Sequence, residues 1–434
     1  MRPEEKLSRM IQCETVSQAG VDNGHKFRAF HEVLASLFPN VFSRCEVTKF
    51  DEALLIRWPG KGHEKEPIVL MSHQDVVEAS GKWSHEPFSG DIADGRVWGR
   101  GTVDTKGSLM CIFEAVDQLI AEGYVPERDV YISSSDGEEV NGEGAAKAAA
   151  FLKEKGIRPI LVLDEGGMIK AEPIKGAKGR FAMMGCLEKG TCNFRIVAHG
   201  KGGHASAPGR QTPLVRLGEF MADIEKDDPF KAKMNPTTVE MFRRLGPTIK
   251  GPLGFVLSHA AFFSPLLNKV LPSVNRLATA MIKTTCAFTQ AHGSEGLNVL
   301  PEMAYVTANC RVIHHQDADE TERLLRERAT KYDLEVEVIN KNPACPVVDH
   351  NSPVFHKVED AIRQSFPSVI PCPYAMTGGT DAKHFSSICD AVIRFAPLEI
   401  DEQQYSSIHA IDENISIDTL QGGIDFYKKI IKSF

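Results

Sequence analysis

The sequence predicts an α/β protein: a mixed, mainly parallel sheet with helices on both faces, plus an inserted α+β unit. Two observations support this class. Strand-like and helix-like segments alternate through the first half of the chain, and near Glu188 that alternation gives way to a second pattern. The chain has 434 residues, of which 42% are hydrophobic and 25% charged, so it is long enough for two or three domains and can bury a large core.

The first half supplies the alternation. Short apolar runs typical of strands and segments with helical spacing follow one another in this order: strands 53–57 and 67–71, helix 106–121, strand 129–133, helix 144–155 and strand 159–163. This rhythm predicts parallel strands joined by helices. In such sheets ligands bind beyond the carboxyl ends of the strands.

A compact α+β unit is predicted after Glu188. Its elements are strand 191–198, helix 212–225, strands 286–291 and 303–312, helix 319–332 and strand 334–339, interrupted at 227–283 by apolar helical patches. A Pro-rich segment, 342–353, is predicted to lead back to helix 354–365, strand 391–395 and helix 417–431. We therefore predict one lobe from residues 1–188 and 346–434, and an inserted lobe from 189–345.

Charge and composition exclude several functions. The formal net charge of −8 disfavours nucleic acid and anionic membranes as partners. The N-terminus lacks the apolar core of a secretory signal, and no apolar stretch is long enough to span a bilayer. The ten cysteines form no CxxC pair and are expected to be free thiols, so a cytoplasmic protein is predicted. Neither a GxxxxGK[ST] nor a GxSxG motif occurs.

Acids and histidines follow the predicted strands in five segments. They are His73 and Asp75, Asp104, Glu138 and Glu139, Asp164 and Glu165, and His409. Taken singly each has an ordinary explanation, since Asp104 could cap a helix and paired glutamates usually face solvent. Together they favour a metal site, because imidazole and carboxylate are the ligands that zinc selects.

Two spacings fit hydrolytic metal chemistry. In His73-x-Asp75 the carboxylate can hold the second ring nitrogen of a ligating histidine. In the adjacent pair Glu138–Glu139 one carboxylate can bind metal while its neighbour takes a proton from water.

These motifs together resemble a known family. SHQDVV, PFSG, GRGTVDTKG, the glutamate pair, LDEGG and a late histidine are similar to the di-zinc exopeptidases and deacylases, which include glutamate carboxypeptidase, aminoacylase and succinyl-diaminopimelate desuccinylase. The likeness is greatest to the branch of carboxypeptidase S and N-fatty-acyl-amino-acid hydrolases. It extends through FSPLLNKVLPSVNRLATAMIKTT and LNVLPEMAYVTANCRV to GGTDAKHF and RFAPLEI, and so covers most of the chain.

The resemblance implies a zinc exopeptidase-like fold and two zinc ions, which cobalt or manganese could replace. Asp104 would bridge the ions. His73 and Asp164 would complete one metal site, and Glu139 and His409 the other. Among the catalytic residues, Asp75 would orient His73, and Glu138 would act as general base and then general acid.

The inserted lobe resembles the family's lid and dimerisation domain, which implies a homodimer. In the family, the histidine matching His204 reaches the partner subunit's site and stabilises the oxyanion. Asn298 matches a second lid contact. Arg311, Gly379 and Thr380 match elements that hold the substrate carboxylate, although a surface charge and a simple turn are the alternatives for Arg311 and Gly379.

The predicted function is metal-dependent hydrolysis of the amide joining a peptide or acyl group to an amino acid with a free carboxylate, as in carboxypeptidase S. An N-acyl-amino-acid deacylase is the alternative, and a non-catalytic binding protein is a third reading. Apolar Phe262, Phe263, Leu266 and Leu267 favour an apolar substrate group or pack the lid. Two departures from the family's pattern, Gly137 and the HAIDE segment after Ile408, leave all the proposed ligands in place.

Overall fold

The computed structural model describes all 434 residues. The helices are α1 (Pro3–Ile11), α2 (Gly24–Leu37), α3 (Pro39–Arg44), α4 (Lys106–Ala121), α5 (Gly144–Glu154), α6 (Pro213–Lys226), α7 (Pro236–Leu245), α8 (Pro252–Ser258), α9 (Ala260–Val274), α10 (Arg276–Ile282), α11 (Ala318–Thr330), α12 (Pro353–Ser365), α13 (Glu402–Ser407) and α14 (Ile417–Ser433).

The strands begin with β1 (Glu46–Phe50), β2 (Ala53–Trp58), β3 (Ile68–Met71), β4 (Ile92–Ala93), β5 (Arg96–Trp98), β6 (Val130–Ser134), β7 (Leu161–Asp164), β8 (Ile169–Ala171), β9 (Arg180–Glu188) and β10 (Gly190–His199). They continue with β11 (Gly203–His204), β12 (Thr285–His292), β13 (Val299–Leu300), β14 (Met303–Val312), β15 (Glu335–Asn342), β16 (Val369–Met376), β17 (Val392–Arg394), β18 (Glu399–Ile400) and β19 (Asn414–Ser416).

The large sheet has the order β1-β2-β6-β3-β7-β17-β9-β8-β18, with β16 paired to β9. Its central strands β6, β3, β7 and β17 run parallel, whereas β1, β2 and the β17–β9 and β9–β8 pairs are antiparallel. Every residue of β3 and β7 is buried. Because successive side chains point to opposite faces, both faces of this sheet are covered. The predicted mixed, mainly parallel α/β fold is confirmed.

A second sheet is antiparallel, in the order β12-β14-β10-β15. Along β10 buried and half-buried residues alternate up to Ile196, the pattern of a sheet with one covered face. Phe194 and Ile196 of β10 pack in one core with Phe220 of α6 and Leu325 of α11. This is the α+β unit that the sequence predicts.

Some of the helices that lie between β11 and β12 in the sequence contact the large sheet. Met241 and Phe242 of α7 share a core with Phe181 of β9 and Cys372 of β16. Part of the segment 189–345 therefore packs against the other sheet, while the lobe boundaries 1–188, 189–345 and 346–434 remain a prediction. All ten cysteines are unpaired. No helix combines the length and apolarity that crossing a membrane requires.

Candidate metal centre and active site

The candidate site lies at the carboxyl ends of the adjacent strands β6, β3 and β7. His73 follows β3 by two residues, Glu138 and Glu139 open a short 3-10 turn after β6, and Asp164 is the last residue of β7. Since these strands are parallel neighbours, their ends meet at one edge of the sheet. The strand order therefore brings together segments that are far apart in the sequence.

Asp104 lies between two imidazoles. His73 Nε2 is 3.0 Å from Asp104 Oδ1, and His409 Nε2 is 3.0 Å from Asp104 Oδ2. His409 Nε2 also lies 3.2 Å from Glu139 Oε1. Ligand atoms of His73, Asp104 and Glu139 all fall within 4.8 Å of one another. These three residues could therefore hold a metal ion, with Asp104 facing a histidine through each of its oxygens.

Asp75 is fully buried and joins two parts of the site. His73 Nδ1 lies 3.3 Å from its Oδ1 and 3.0 Å from its backbone oxygen. The backbone N–H groups of Glu138 and Glu139 donate to its Oδ1 and Oδ2 at 3.1 and 3.2 Å, and the Ser17 hydroxyl donates to Oδ2 at 2.6 Å. One carboxylate thus holds the histidine and the glutamate pair in a fixed relation.

Asp164 is buried beside a further carboxylate that the sequence reading did not single out, Asp381. Asp164 accepts hydrogen bonds from the backbone N–H groups of Glu165 and Ala382, both at 2.8 Å. Burial first, and then the nearby charge of Asp381, raise the pKa of Asp164 to about 7. Asp381 itself accepts a hydrogen bond from Ser135, and its pKa is also raised by burial.

The site is dominated by negative charge. Burial raises the pKa of Glu138 to about 8 and that of Glu165 well above its ordinary value, and neighbouring carboxylates add to both shifts. The hydrogen bonds to Asp104 and Glu139 raise the pKa of His409 to about 10. Burial raises the pKa of Asp104 too, but hydrogen bonds from both histidines outweigh it and leave that pKa lowered. Clustered buried carboxylates of this kind repel one another unless cations lie among them.

His204 and Asn298 lie together on the second lobe. His204 ends β11, which pairs with β13, and Ala205 donates its N–H to the Asn298 backbone oxygen at 2.9 Å. The imidazole is exposed, and its Nδ1 is 2.7 Å from the Ser206 hydroxyl. The hydrogen bonds of His204 stay within its own loop, so within one chain it is not joined to the metal cluster.

The three residues expected at the substrate carboxylate have different surroundings. Arg311 lies on β14 and donates to the Thr191 hydroxyl at 2.9 Å. Gly379 is exposed. Thr380 is buried, and its hydroxyl donates to Glu188 Oε2 at 3.0 Å. Thr380 is therefore engaged inside the protein, since its hydroxyl is bound to Glu188 and its backbone oxygen accepts from the Lys383 N–H at 3.3 Å.

Glu413 is a residue that the sequence reading missed. Its buried carboxylate accepts hydrogen bonds from the backbone N–H groups of Gly101, Val103 and Asp104 at 2.9 to 3.1 Å, and from Arg100 Nη1 at 2.6 Å. It lies four residues after His409 and holds the loop that carries Asp104. The signal in the sequence is the last acid of the HAIDE segment, which follows the two departures from the family's pattern, Ala410 and Asp412, and is not itself one of them.

A buried ion pair supports the end of β17. Arg394 is completely buried, and its Nε donates to Glu188 Oε2 at 2.9 Å, where Thr380 also donates. Arg394 is in register with Asp164 of β7. An arginine at the end of an apolar strand gives no sign in the sequence of which acid pairs with it.

Comparison with known proteins now identifies the class. Residues 69–433 match the model of the peptidase family M20/M25/M40, and the chain belongs to this family. It is a metal-dependent amide hydrolase of the metallopeptidase type, as the sequence predicts.

Two relatives place the chain in a narrower group within this family. The chain is 31% identical to the probable carboxypeptidase S-like 2 of Dictyostelium discoideum, over 99% of this chain and 84% of that protein. It is 28% identical to the human N-fatty-acyl-amino acid synthase/hydrolase PM20D1, over 99% of this chain and 87% of that protein. The predicted branch of the family is confirmed.

Solved structures agree on the fold. The M20 family metallo-carboxypeptidase Sso-CP2 from Sulfolobus solfataricus superposes with a TM-score of 0.73 at 17% identity, covering 99% of this chain and 98% of that one. Human carnosine dipeptidase 1 gives a TM-score of 0.66 at 14% identity, covering 99% and 95%. At such identities the likeness concerns the fold alone.

Proposed function

We propose that this protein is a dinuclear zinc carboxypeptidase. It would cleave the amide bond that joins a short peptide or an acyl group to an amino acid with a free carboxylate. The observation that carries the proposal is Asp104, whose two oxygens lie 3.0 Å from the imidazoles of His73 and His409.

The donor set fits two divalent cations. His73 and Asp164 would hold one ion, Glu139 and His409 the other, and Asp104 both. The raised pKa of buried Asp164 supports this assignment, since a bound cation would stabilise its charged form. Zinc suits mixed imidazole and carboxylate ligands, and cobalt or manganese could replace it.

Glu138 is proposed as the proton carrier. When bound, the ions would supply a Lewis acid for the scissile carbonyl and lower the pKa of water. Glu138 would accept the proton of the attacking water and pass it to the leaving amine. A carboxyl with a pKa of about 8 is suited to both directions of transfer near neutral pH. Asp75 would fix the position of this glutamate through its backbone N–H.

Substrate recognition is proposed to involve both lobes. Arg311, Gly379 and Thr380 would hold the free carboxylate, with Gly379 exposed at the surface, and His204 with Asn298 would stabilise the oxyanion. Since His204 makes hydrogen bonds only within its own loop, we propose that it serves the site of a second copy in a homodimer formed through the inserted lobe 189–345. Free thiols support a cytoplasmic location.

The second candidate is hydrolysis of N-acyl amino acids. It is favoured by the 28% identity to a protein named as an N-fatty-acyl-amino acid hydrolase over 99% of this chain. Both substrates need the same carboxylate anchor and the same amide chemistry. Of the apolar residues named in the sequence, Leu267 is buried in the core with α7, whereas Phe262 and Leu266 are exposed.

A hydrolysis screen distinguishes these two candidate functions. The zinc-loaded protein is given dipeptides with apolar C-terminal residues and N-acyl amino acids of varied chain length, each with and without chelator. Cleavage that chelator abolishes is expected, and the preferred set assigns peptidase or deacylase. The same substrates with an amidated C-terminus test the carboxylate anchor, and equal cleavage of these would contradict it.

A variant tests the role of Glu138. Glu138→Gln keeps the shape of the side chain but removes its ability to accept a proton, so we expect turnover to fall by roughly 10²-fold or more. Metal content, measured by atomic emission, should stay at the wild-type value. Glu143→Gln is the matched control, because the Glu143 side chain is 80% exposed and pairs only with Lys147. Activity that survives in Glu138→Gln would exclude it as the general base.

A further inference from the structure

An apolar surface on helices α8 to α10 has no partner in the chain. Six large apolar side chains there are each at least half exposed: Leu253, Phe255, Phe262, Leu266, Val274 and Leu277. Phe262 is 80% exposed and Leu277 75%. Scattered exposed apolar residues are ordinary, but a cluster from consecutive helices marks an interaction surface. We call these six residues the α8–α10 surface.

On α9, the helical spacing places two of these apolar side chains and a cation on one face. Along α9, Phe262, Leu266 and Lys269 are spaced by four and three residues and so share one face. All three are exposed, whereas Leu267 on the opposite side is 5% exposed and belongs to the core beneath. The outward face of α9 therefore carries two apolar side chains and one positive charge.

The charge of this segment departs from that of the chain. From Met241 to Ser294 there is no Asp or Glu, although the whole chain has a net charge of −8. Lys250, Lys269 and Arg276 are exposed. None of these three has a carboxylate within ion-pair distance, whereas Lys283 of the same segment pairs with Asp228.

We propose that the α8–α10 surface docks on an anionic phospholipid bilayer, independently of the hydrolytic site. Exposed apolar side chains beside unpaired cations are what an interfacial helix presents to such a surface. Charges beyond about 10 Å are screened at 0.1 M salt, so the local charge decides the contact and the net charge does not. The net charge of −8 alone therefore does not exclude a membrane as the partner of this surface.

A second copy of the chain fits this surface less well. A twofold contact places the same patch on both sides, so Lys250, Lys269 and Arg276 would meet a surface that carries the same three cations and no acid from this segment. Lipid phosphates supply the missing negative charge. The surface therefore matches a bilayer in both its apolar and its charged groups.

Vesicle sedimentation tests the proposal with the full-length protein. We expect it to bind vesicles of phosphatidylcholine with 30% phosphatidylserine, to bind pure phosphatidylcholine about tenfold less, and to be released from the anionic vesicles as salt rises from about 0.1 to 0.5 M. Failure to bind the anionic vesicles would overturn the proposal, and so would equal, salt-insensitive binding to both compositions.

Surface variants localise the binding. Phe262→Ser with Leu266→Ser, and separately Lys269→Glu with Arg276→Glu, should each weaken vesicle binding by about tenfold or more. The matched control is Ile92→Ser with Val125→Ser, which are 42% and 44% exposed on the other lobe. Thermal unfolding checks that each variant is folded, and Leu277→Ser replaces any that is not.

Two results with these variants would overturn the docking site. One is wild-type vesicle binding by both surface variants. The other is a change in sedimentation mass without loss of vesicle binding, which would assign the surface to a second copy.

Discussion

At the scale of single residues, the site depends on buried carboxylates that bind no substrate. The Asp75 carboxylate accepts hydrogen bonds from the Ser17 hydroxyl and from two backbone N–H groups, and it lies beside the His73 imidazole. This one carboxylate therefore fixes the position of the histidine and of the glutamate pair. A buried carboxylate is stable only when donors surround it. Such residues therefore couple the stability of the site to its ability to bind metal.

Asp75→Asn should weaken metal binding by about 10- to 100-fold, because the amide cannot accept from every donor that meets the carboxylate. The measurement is a competition titration of zinc against a chelating dye. His85 and Asp91 form a second histidine–aspartate pair, at 3.1 Å, on the surface. Asp91→Asn is therefore the matched control and should leave zinc affinity unchanged. Wild-type affinity in Asp75→Asn would remove this residue from the metal site.

Glu413→Gln should cost about 3 kcal/mol of unfolding free energy, because it leaves the buried Arg100 without its counter-charge. It should also weaken metal binding, since the same carboxylate holds the backbone N–H of Asp104. Urea unfolding and the zinc titration measure the two effects. The control is Asp412→Asn, which makes the same chemical change one residue earlier, where φ is +58° and Asn is well tolerated. It should change neither the unfolding free energy nor the zinc affinity. Equal zinc affinity in the two variants would contradict the positioning role.

The sequence indicated the candidate ligands His73, Glu139 and Asp164 because each lies at or just after the end of an apolar strand, which is a local pattern. The expected strand context is wrong for the other two, since His409 follows helix α13 and Asp104 lies in the turn before α4. The sequence could not show that Glu413 turns back on the loop at Asp104, since the register of β19 on β5 is needed to bring the two together. Nor could it show the direction of a side chain. The motif around Thr380 predicts a contact with the substrate, but the Thr380 hydroxyl donates to Glu188 inside the protein.

At the scale of elements, the sequence predicted the central strands and their helices to within about two residues, because their apolar runs are uninterrupted. It did not predict β16, whose Pro371 and Pro373 interrupt the strand pattern. Proline is tolerated there because β16 pairs on one side only, with β9. Helix α9 carries Pro265 and Pro272, which likewise obscured its helical period.

Glu240 fixes α7 by accepting from both Arg243 and Arg244, and Arg244 reaches Glu359 of α12 and the Pro371 oxygen. Burial opposes its charge, but the two arginines lower the pKa of Glu240 to about 2. This folded value lies below the ordinary 4.5, so the stabilisation is complete above pH 4.5 and is lost as pH falls towards 2.

Glu240→Gln should therefore lower the unfolding free energy by about 2–3 kcal/mol at pH 7, and the difference from wild type should shrink below pH 4.5. Urea unfolding at pH 7, 5, 4 and 3.5 measures it. Glu402→Gln, at a side chain 82% exposed, is the control and should change little. A difference that stayed constant down to pH 3.5 would show that the arginines do not hold this pKa down.

At the scale of the whole molecule, the two sheets have separate cores and carry different parts of the proposed site. The large sheet assembles the carboxylates and histidines, whereas His204 and Asn298 lie on the other lobe. The sequence indicated both groups of residues but not that they lie apart on two lobes within one chain. His204 is exposed and makes hydrogen bonds only in its own loop, and the proposed dimer would give it a function at the partner's site.

Mixing two inactive variants tests that arrangement. His204→Ala should lose roughly 10²-fold in turnover while its zinc content is unchanged, as expected for one oxyanion donor. If His204 serves the partner's site, a dimer of His204→Ala with Glu138→Gln contains one intact site of two. After unfolding and refolding an equal mixture, random pairing makes half the dimers mixed, so activity should return to about a quarter of wild type. His204→Ala mixed with Asp75→Asn should recover likewise, whereas each variant refolded alone should not. No recovery in either mixture would place His204 in its own subunit's site or outside catalysis.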